Sequence, residues 1–151
     1  MSRPVPLGLA MLLCDYVIED KQSNKKSLIG LFSNISAKKF PASHYKMNVF
    51  VVLSDGHGKY QGELRCISAD DDKVVSTMRG PVEFPDPQAV LEFNFEMFGL
   101  TFPDPGKYIM QFLCDDVIVI QRKMTVTDIK KPSDAEALEG EEEEGEMEEE
   151  E

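Results

Sequence analysis

Residues 91–97 read Leu-Glu-Phe-Asn-Phe-Glu-Met, so Leu91, Phe93, Phe95 and Met97 alternate strictly with Glu92, Asn94 and Glu96. A period of two sends successive side chains to opposite faces, and only a β-strand turns this stretch into one apolar and one polar side. That strand is read over 90–98, and seven further runs read as strands, at 9–19, 27–36, 47–54, 59–69, 73–79, 108–114 and 117–127. Turn chemistry separates them. Asp-Gly-His-Gly at 55–58 is a hairpin signal, Asp70, Asp71 and Asp72 turn the chain, and Asp115 with Asp116 makes a two-residue hairpin. In 59–69, Gln61, Glu63 and Arg65 are expected to face water.

Run 9–19 is apolar on both of its alternating sets, the pattern of a strand covered on both sides. Its Leu, Ala and Met residues also suit a helix, the competing reading there. Gly30, inside 27–36, marks a bulge or a close approach. The whole predicts an all-β chain, an antiparallel β-sandwich of about eight strands of immunoglobulin-like type. Gly-Lys-Tyr at 106–108 opens the penultimate strand, where such sandwiches carry a tyrosine corner. The chain has no Trp and no antibody-type cysteine pair, and an up-and-down barrel is the alternative architecture.

Charge divides the chain in two. Residues 133–151 contain Asp134, Glu136 and ten further glutamates, with no Lys or Arg, which accounts for the whole net charge of −12. Residues 1–132 are then neutral, with 16 bases against 16 acids, the latter being 28 in all less the 12 of the tail. We therefore expect a folded domain at 1–132 and a disordered Glu-rich tail at 133–151, which has almost nothing to bury. The acidic pI of 4.6 describes the tail, not the body.

Cys14, Cys66 and Cys114 lie in apolar runs at wide spacing. Their odd number fits buried thiols in a reducing compartment better than a bridge between two of them. Arg3 followed by residues 7–14 resembles a short lipoprotein signal, but Leu13 stands where a small residue is needed and the apolar run continues through Tyr16, Val17 and Ile18. No run reaches the length of a membrane span. The expectation is a cytoplasmic protein that engages no membrane.

Candidate chemistry is sparse. His44 and His57 are far apart and there is no CxxC, so a zinc site has few ligands. The aspartate runs lack the spaced pattern of a calcium loop. Ser54, Asp55 and His57 are neighbours in sequence, but no serine stands in a nucleophile-elbow context. Lys21, Lys25, Lys26, Lys38, Lys39 and Lys46 cluster in sequence, yet the loops at 21–26 and 37–46 are expected at opposite ends of one strand, which argues against a nucleic-acid patch. No cofactor, metal or catalytic residue is expected.

The sequence Phe-Pro-Asp-Pro occurs twice, at 84–87 and 102–105, offset by 18 residues. Proline fixes φ and holds the preceding Phe extended, so each copy is a rigid turn whose Phe can plug one end of the fold. With strands alternating in direction, one end, A, collects 21–26, 55–58, the first copy and Asp115 with Asp116. The other end, B, collects Arg3, Lys38, Lys39, Lys46, the aspartates 70–72, the second copy, Lys130 and Lys131. The acidic tail also leaves at B, as a solubilising bristle or as a screen over those lysines.

Leu-Cys-Asp-Tyr-Val at 13–17, Leu-Ile-Gly-Leu-Phe at 28–32, Ser-Asp-Gly-His-Gly at 54–58 and both Phe-Pro-Asp-Pro segments carry a resemblance over about 8–128. The chain resembles an uncharacterised family of small bacterial proteins. The resemblance implies a bacterial origin and an immunoglobulin-like sandwich, and it supplies no catalytic residue.

The expected function is that of a non-catalytic interaction module, working through its loops or an open sheet edge. Lys38, Lys39, Phe102, Pro103, Asp104 and Pro105 are the expected interaction loops, and the partner is a protein, a second copy being the simplest. A sandwich binding a carbohydrate or small molecule is the alternative, expected to expose Tyr45, Phe50 and Tyr60 on one sheet face; a hydrolase is the third reading.

Overall fold

A computed structural model describes residues 4–129, and its described residues form an all-β chain of nine strands. They are β1 (Leu7–Glu19), β2 (Lys26–Leu31), β3 (Asn34–Ala37), β4 (Ala42–Ser54), β5 (Gly58–Ser68), β6 (Val74–Phe84), β7 (Leu91–Phe102), β8 (Gly106–Cys114) and β9 (Val117–Asp128). Two sheets result. Sheet A runs β2-β1-β4-β7 and sheet B runs β3-β9-β8-β5-β6. The helical reading of 9–19 is overturned. Arg3, Lys130, Lys131 and the acidic segment 133–151 lie outside the described residues.

The core is the meeting of the two inward faces. Met11, Leu13, Val49 and Val51 of sheet A join Leu64, Cys66, Met110, Phe112 and Met124 of sheet B in one buried cluster. The outer faces differ. On sheet B, Arg65 donates to Gln111 (2.8 Å) and Gln111 donates to Gln121 (2.9 Å), a polar ladder in which the buried Gln111 amide is satisfied on both sides. Glu63 corrects the sequence reading: it is buried, accepting from Thr77 (3.0 Å) beside the Arg79 guanidinium. On sheet A, Cys14, Asn48 and Phe50 are buried although they alternate with the core-facing residues.

What covers them is the β1–β2 hairpin. Lys26 pairs in register with Glu19, while Glu92 lies level with Val52 and Ala10. Nine residues of extended strand separate Ala10 from Glu19, roughly 30 Å. Yet the Lys26 ammonium sits 2.7 Å from the Glu92 carboxylate and 3.4 Å from that of Glu19. The hairpin therefore folds back across the outer face of sheet A. Gly30, at φ +75, supplies the bend, and the Asp15 carboxylate fills the space where a side chain at 30 would sit.

The run 27–36, expected as one strand, is two. After Leu31 the chain crosses to sheet B, where β3 pairs in parallel with β9. Arg122 spans the crossing, donating to the Met11 carbonyl (3.3 Å) and the Ser33 hydroxyl (3.1 Å). This extra reversal moves the start of the chain. The first described residues lie at end A, not B, because Leu7 pairs with Ser54 and the Tyr60 hydroxyl donates to the Pro4 carbonyl.

The two Phe-Pro-Asp-Pro turns do sit at opposite ends and use the same device. Phe84 (3% exposed) packs edge-on against Tyr60 at 6.0 Å, and Phe102 (0%) packs edge-on against Tyr108 at 4.9 Å. Each tyrosine hydroxyl then holds backbone. That of Tyr60 also accepts from the His57 N–H (2.8 Å), and that of Tyr108 donates to the Asp104 carbonyl (2.5 Å). Phe102 reaches the core because Gly99, at φ +64, shifts the alternation after Met97, so that Leu100 and Phe102 point inward. This extends β7 four residues past the expected end at Phe98.

Cys14, Cys66 and Cys114 are buried thiols outside any disulfide. Burial pushes the Cys66 thiol from its ordinary 9.0 up to about 12. Below pH 9 both folded and unfolded chains keep this proton. Between pH 9 and about 12 only the unfolded chain releases it, so stability falls as pH rises, by about 1.4 kcal/mol per pH unit for one thiol. Urea midpoints measured below and above pH 9 should show that fall, and Cys66→Val should make it shallower. An equal slope in the variant would assign the alkaline loss to other groups.

Candidate functional site

Strands β6 and β7 are the edges of different sheets, and they face each other across a seam without pairing. Three cavities follow that seam. The first, about 100 Å³, opens between Gly80 and Val82 on β6 and Phe93 and Phe95 on β7. The second, about 350 Å³, is shared by Val75, Ser76 and Met78 with residues 96–101 of β7. The third, also about 350 Å³, lies under the β5–β6 turn and the second Phe-Pro-Asp-Pro loop. Met78 lines the first two, and Val75 and Thr101 line the last two, so they form one groove.

The floor of its narrow end is aromatic. Phe112 lies 6.1 Å from Phe93 and 5.6 Å from Phe95, and those two rings stack at 5.8 Å. The slot exists because Gly62 and Gly80 stand opposite each other in the β5–β6 register. A Cβ at Gly62 would meet Val82 and Phe112, whereas one at Gly80 would meet nothing within 4 Å. The wide end is polar, with Asp70, Asp71, Asp104, Lys73 and Lys107 around it. The Lys73 backbone N–H holds the Asp71 carboxyl below its ordinary value, and burial raises the Tyr108 hydroxyl. The two walls are the unbonded sides of strands, which present backbone N–H and C=O groups along the groove.

Pro103, Asp104 and Pro105 line the wide end, where they meet Asp70 and Asp71 as the expected alternation places them. Phe102 is wholly buried, so within its loop it is an anchor and not a contact residue. Lys38 and Lys39 are exposed just beyond β3. Ala37 pairs with Asp128 and Gly106 with Val126, which puts both lysines at the end of the second loop, outside the groove lining. Of the three aromatics named for a ligand face, Tyr45 is 83% exposed, while Phe50 (7%) and Tyr60 (3%) are buried. Lys46 stands not in a loop but in β4, 5.2 Å over the Tyr16 ring.

At end A the Ser54 hydroxyl donates to Asp55 (2.7 Å), and His57 gives its backbone N–H to Tyr60. Among the described residues no group of three or more His, Cys, Asp or Glu could hold a metal ion. No helix among them is long and apolar enough to cross a membrane. Sequence reasoning missed Gly62, Gly80 and the three phenylalanines as one site. Two glycines inside strand runs are the signal that could have raised it.

A family model described as a family of unknown function (DUF6941) matches residues 9–127. No curated protein matches. The chain belongs to that family.

Proposed function

We propose that this member of a family of unknown function is a non-catalytic protein-interaction module. It takes an extended segment of a partner protein into the groove between β6 and β7. The carrying observation is that the groove is walled on both sides by unpaired strand edges. Backbone groups so arranged suit another strand, with pockets for its alternate side chains.

The immunoglobulin-like reading supports the choice of occupant. Sheet B runs β9-β8-β5-β6, the order of strands G, F, C and C′ of a variable-type domain, and β4 with β7 takes the places of B and E. The Tyr108 hydroxyl reaches back to Asp104 as a tyrosine corner does. In that scheme the strands beyond C′ and E have no counterpart among the described residues, and the groove lies where they would run. A cytoplasmic setting fits the three buried thiols.

The test is capture from the source cells with a photo-crosslinking residue at Met78. A partner should be crosslinked through an extended segment, and the capture should be lost on Gly80→Glu. Capture that ignores both positions would remove the reading. A second reading, an apolar small molecule in the phenylalanine slot, is favoured by the slot's size and lining. It predicts saturable amide shifts at Gly62 and Gly80 on titration with toluene, abolished in Gly80→Leu, and no crosslinked protein.

A further inference from the structure

The β1–β2 hairpin covers sheet A with one face and turns a second apolar face outward. Tyr16 (56% exposed), Ile18 (52%), Ile29 (45%) and Leu31 (60%) make up that outward face, and Tyr16 lies opposite Ile29 in the register. It continues onto the sheet beside it. Lys46 lies over Tyr16 and pairs with Phe98, and Phe98 (62%) packs edge-on with Tyr45 (83%) at 6.3 Å. Run 9–19 has the sequence of a strand covered on both sides, and beyond Cys14 the described residues cover only one.

We propose that a second copy of this chain covers the other, the two hairpin faces packing across a two-fold axis. Four observations favour that occupant. The six exposed side chains present several hundred Å² per copy, the order of the ~800 Å² each partner gives to a standard interface. The hairpin is its own electrostatic complement, since residues 15–26 hold Asp15, Glu19 and Asp20 against Lys21, Lys25 and Lys26. Two copies therefore meet without net repulsion. The chain's own remaining segment is unsuited, because residues 133–151 carry twelve acids and only Leu138 and Met147 as large apolar residues. Lastly, β2 is a short edge with no proline and no charge from Ser27 to Leu31, so it lacks the guards that natural edges carry when they must stay single.

Sedimentation velocity of the full chain over a hundredfold concentration range tests this. Wild type should pass from monomer to dimer, whereas Leu31→Lys and Ile29→Lys should sediment as monomers throughout with unchanged far-UV circular dichroism. Met78→Asp, in the groove, should dimerise as wild type does, which separates this contact from the groove. If Ile29→Lys fails to fold, Leu31→Lys and Tyr16→Lys decide. A wild-type monomer at every concentration, or a dimer that survives these substitutions, overturns the proposal.

Discussion

Phe112→Ala is expected to cost about 3–5 kcal/mol, the range for removing a buried aromatic ring. That is a large part of the ~5–15 kcal/mol that holds a domain of this size folded. Phe112 is 1% exposed and belongs to sheet B, yet its nearest rings, Phe93 and Phe95, belong to sheet A. Its removal deletes one of the aromatic contacts between the sheets, that of Phe102 with Tyr108 remaining, and opens a void beside the existing slot of about 100 Å³. The neighbouring backbone of β5 and β8 is fixed by the ladder from Gly62–Cys114 to Ser68–Tyr108 and cannot close in. Urea denaturation should show a much lower midpoint with the slope kept. A loss below about 1 kcal/mol would mean that the ring stack does not join the sheets.

Gly8→Val should be nearly as damaging, at about 3 kcal/mol, the upper part of the overpacking range. A Cβ at Gly8 would stand 2.6 Å from the Ile120 Cβ and 2.9 Å from the Val119 carbonyl oxygen. Both obstacles are close to backbone, so no rotamer change relieves them. This is where β1 of one sheet crosses close over β9 of the other, and a branched side chain would force them apart. Gly80→Ala is the matched control. Its Cβ meets nothing, and it should be neutral or gain a few tenths of a kcal/mol from reduced chain freedom. Thermal melts of the two variants decide the matter. Equal stabilities would show that glycine at position 8 is not there for close approach.

Much of this was legible locally. The alternation of Leu91, Phe93, Phe95 and Met97 is a strand by itself, and their inward face is the one observed. The paired turns at 84–87 and 102–105 could be assigned to opposite ends by counting reversals. The count failed at 27–36, where a continuous apolar run conceals a change of sheet. Nothing local distinguishes β2, held by β1, from β3, held by residues about ninety positions later. The same limit applied to the expected site. Pro103, Asp104 and Pro105 fell at the groove because turns lie at strand ends, whereas Phe102 depended on the shift at Gly99.

The sequence by itself determined most of the strands, the inward face of Leu91, Phe93, Phe95 and Met97, the neutrality of residues 1–132 and the acidity of the last nineteen residues. Those properties follow from side-chain order and backbone preference over a few residues. Tertiary structure decided which strands became neighbours. It left β6 and β7 unpaired across a groove and laid the β1–β2 hairpin over sheet A with an apolar face outward. The physical reason is that strand pairing is a contest among backbone edges with the same hydrogen-bonding groups, settled by how the whole chain buries its apolar faces.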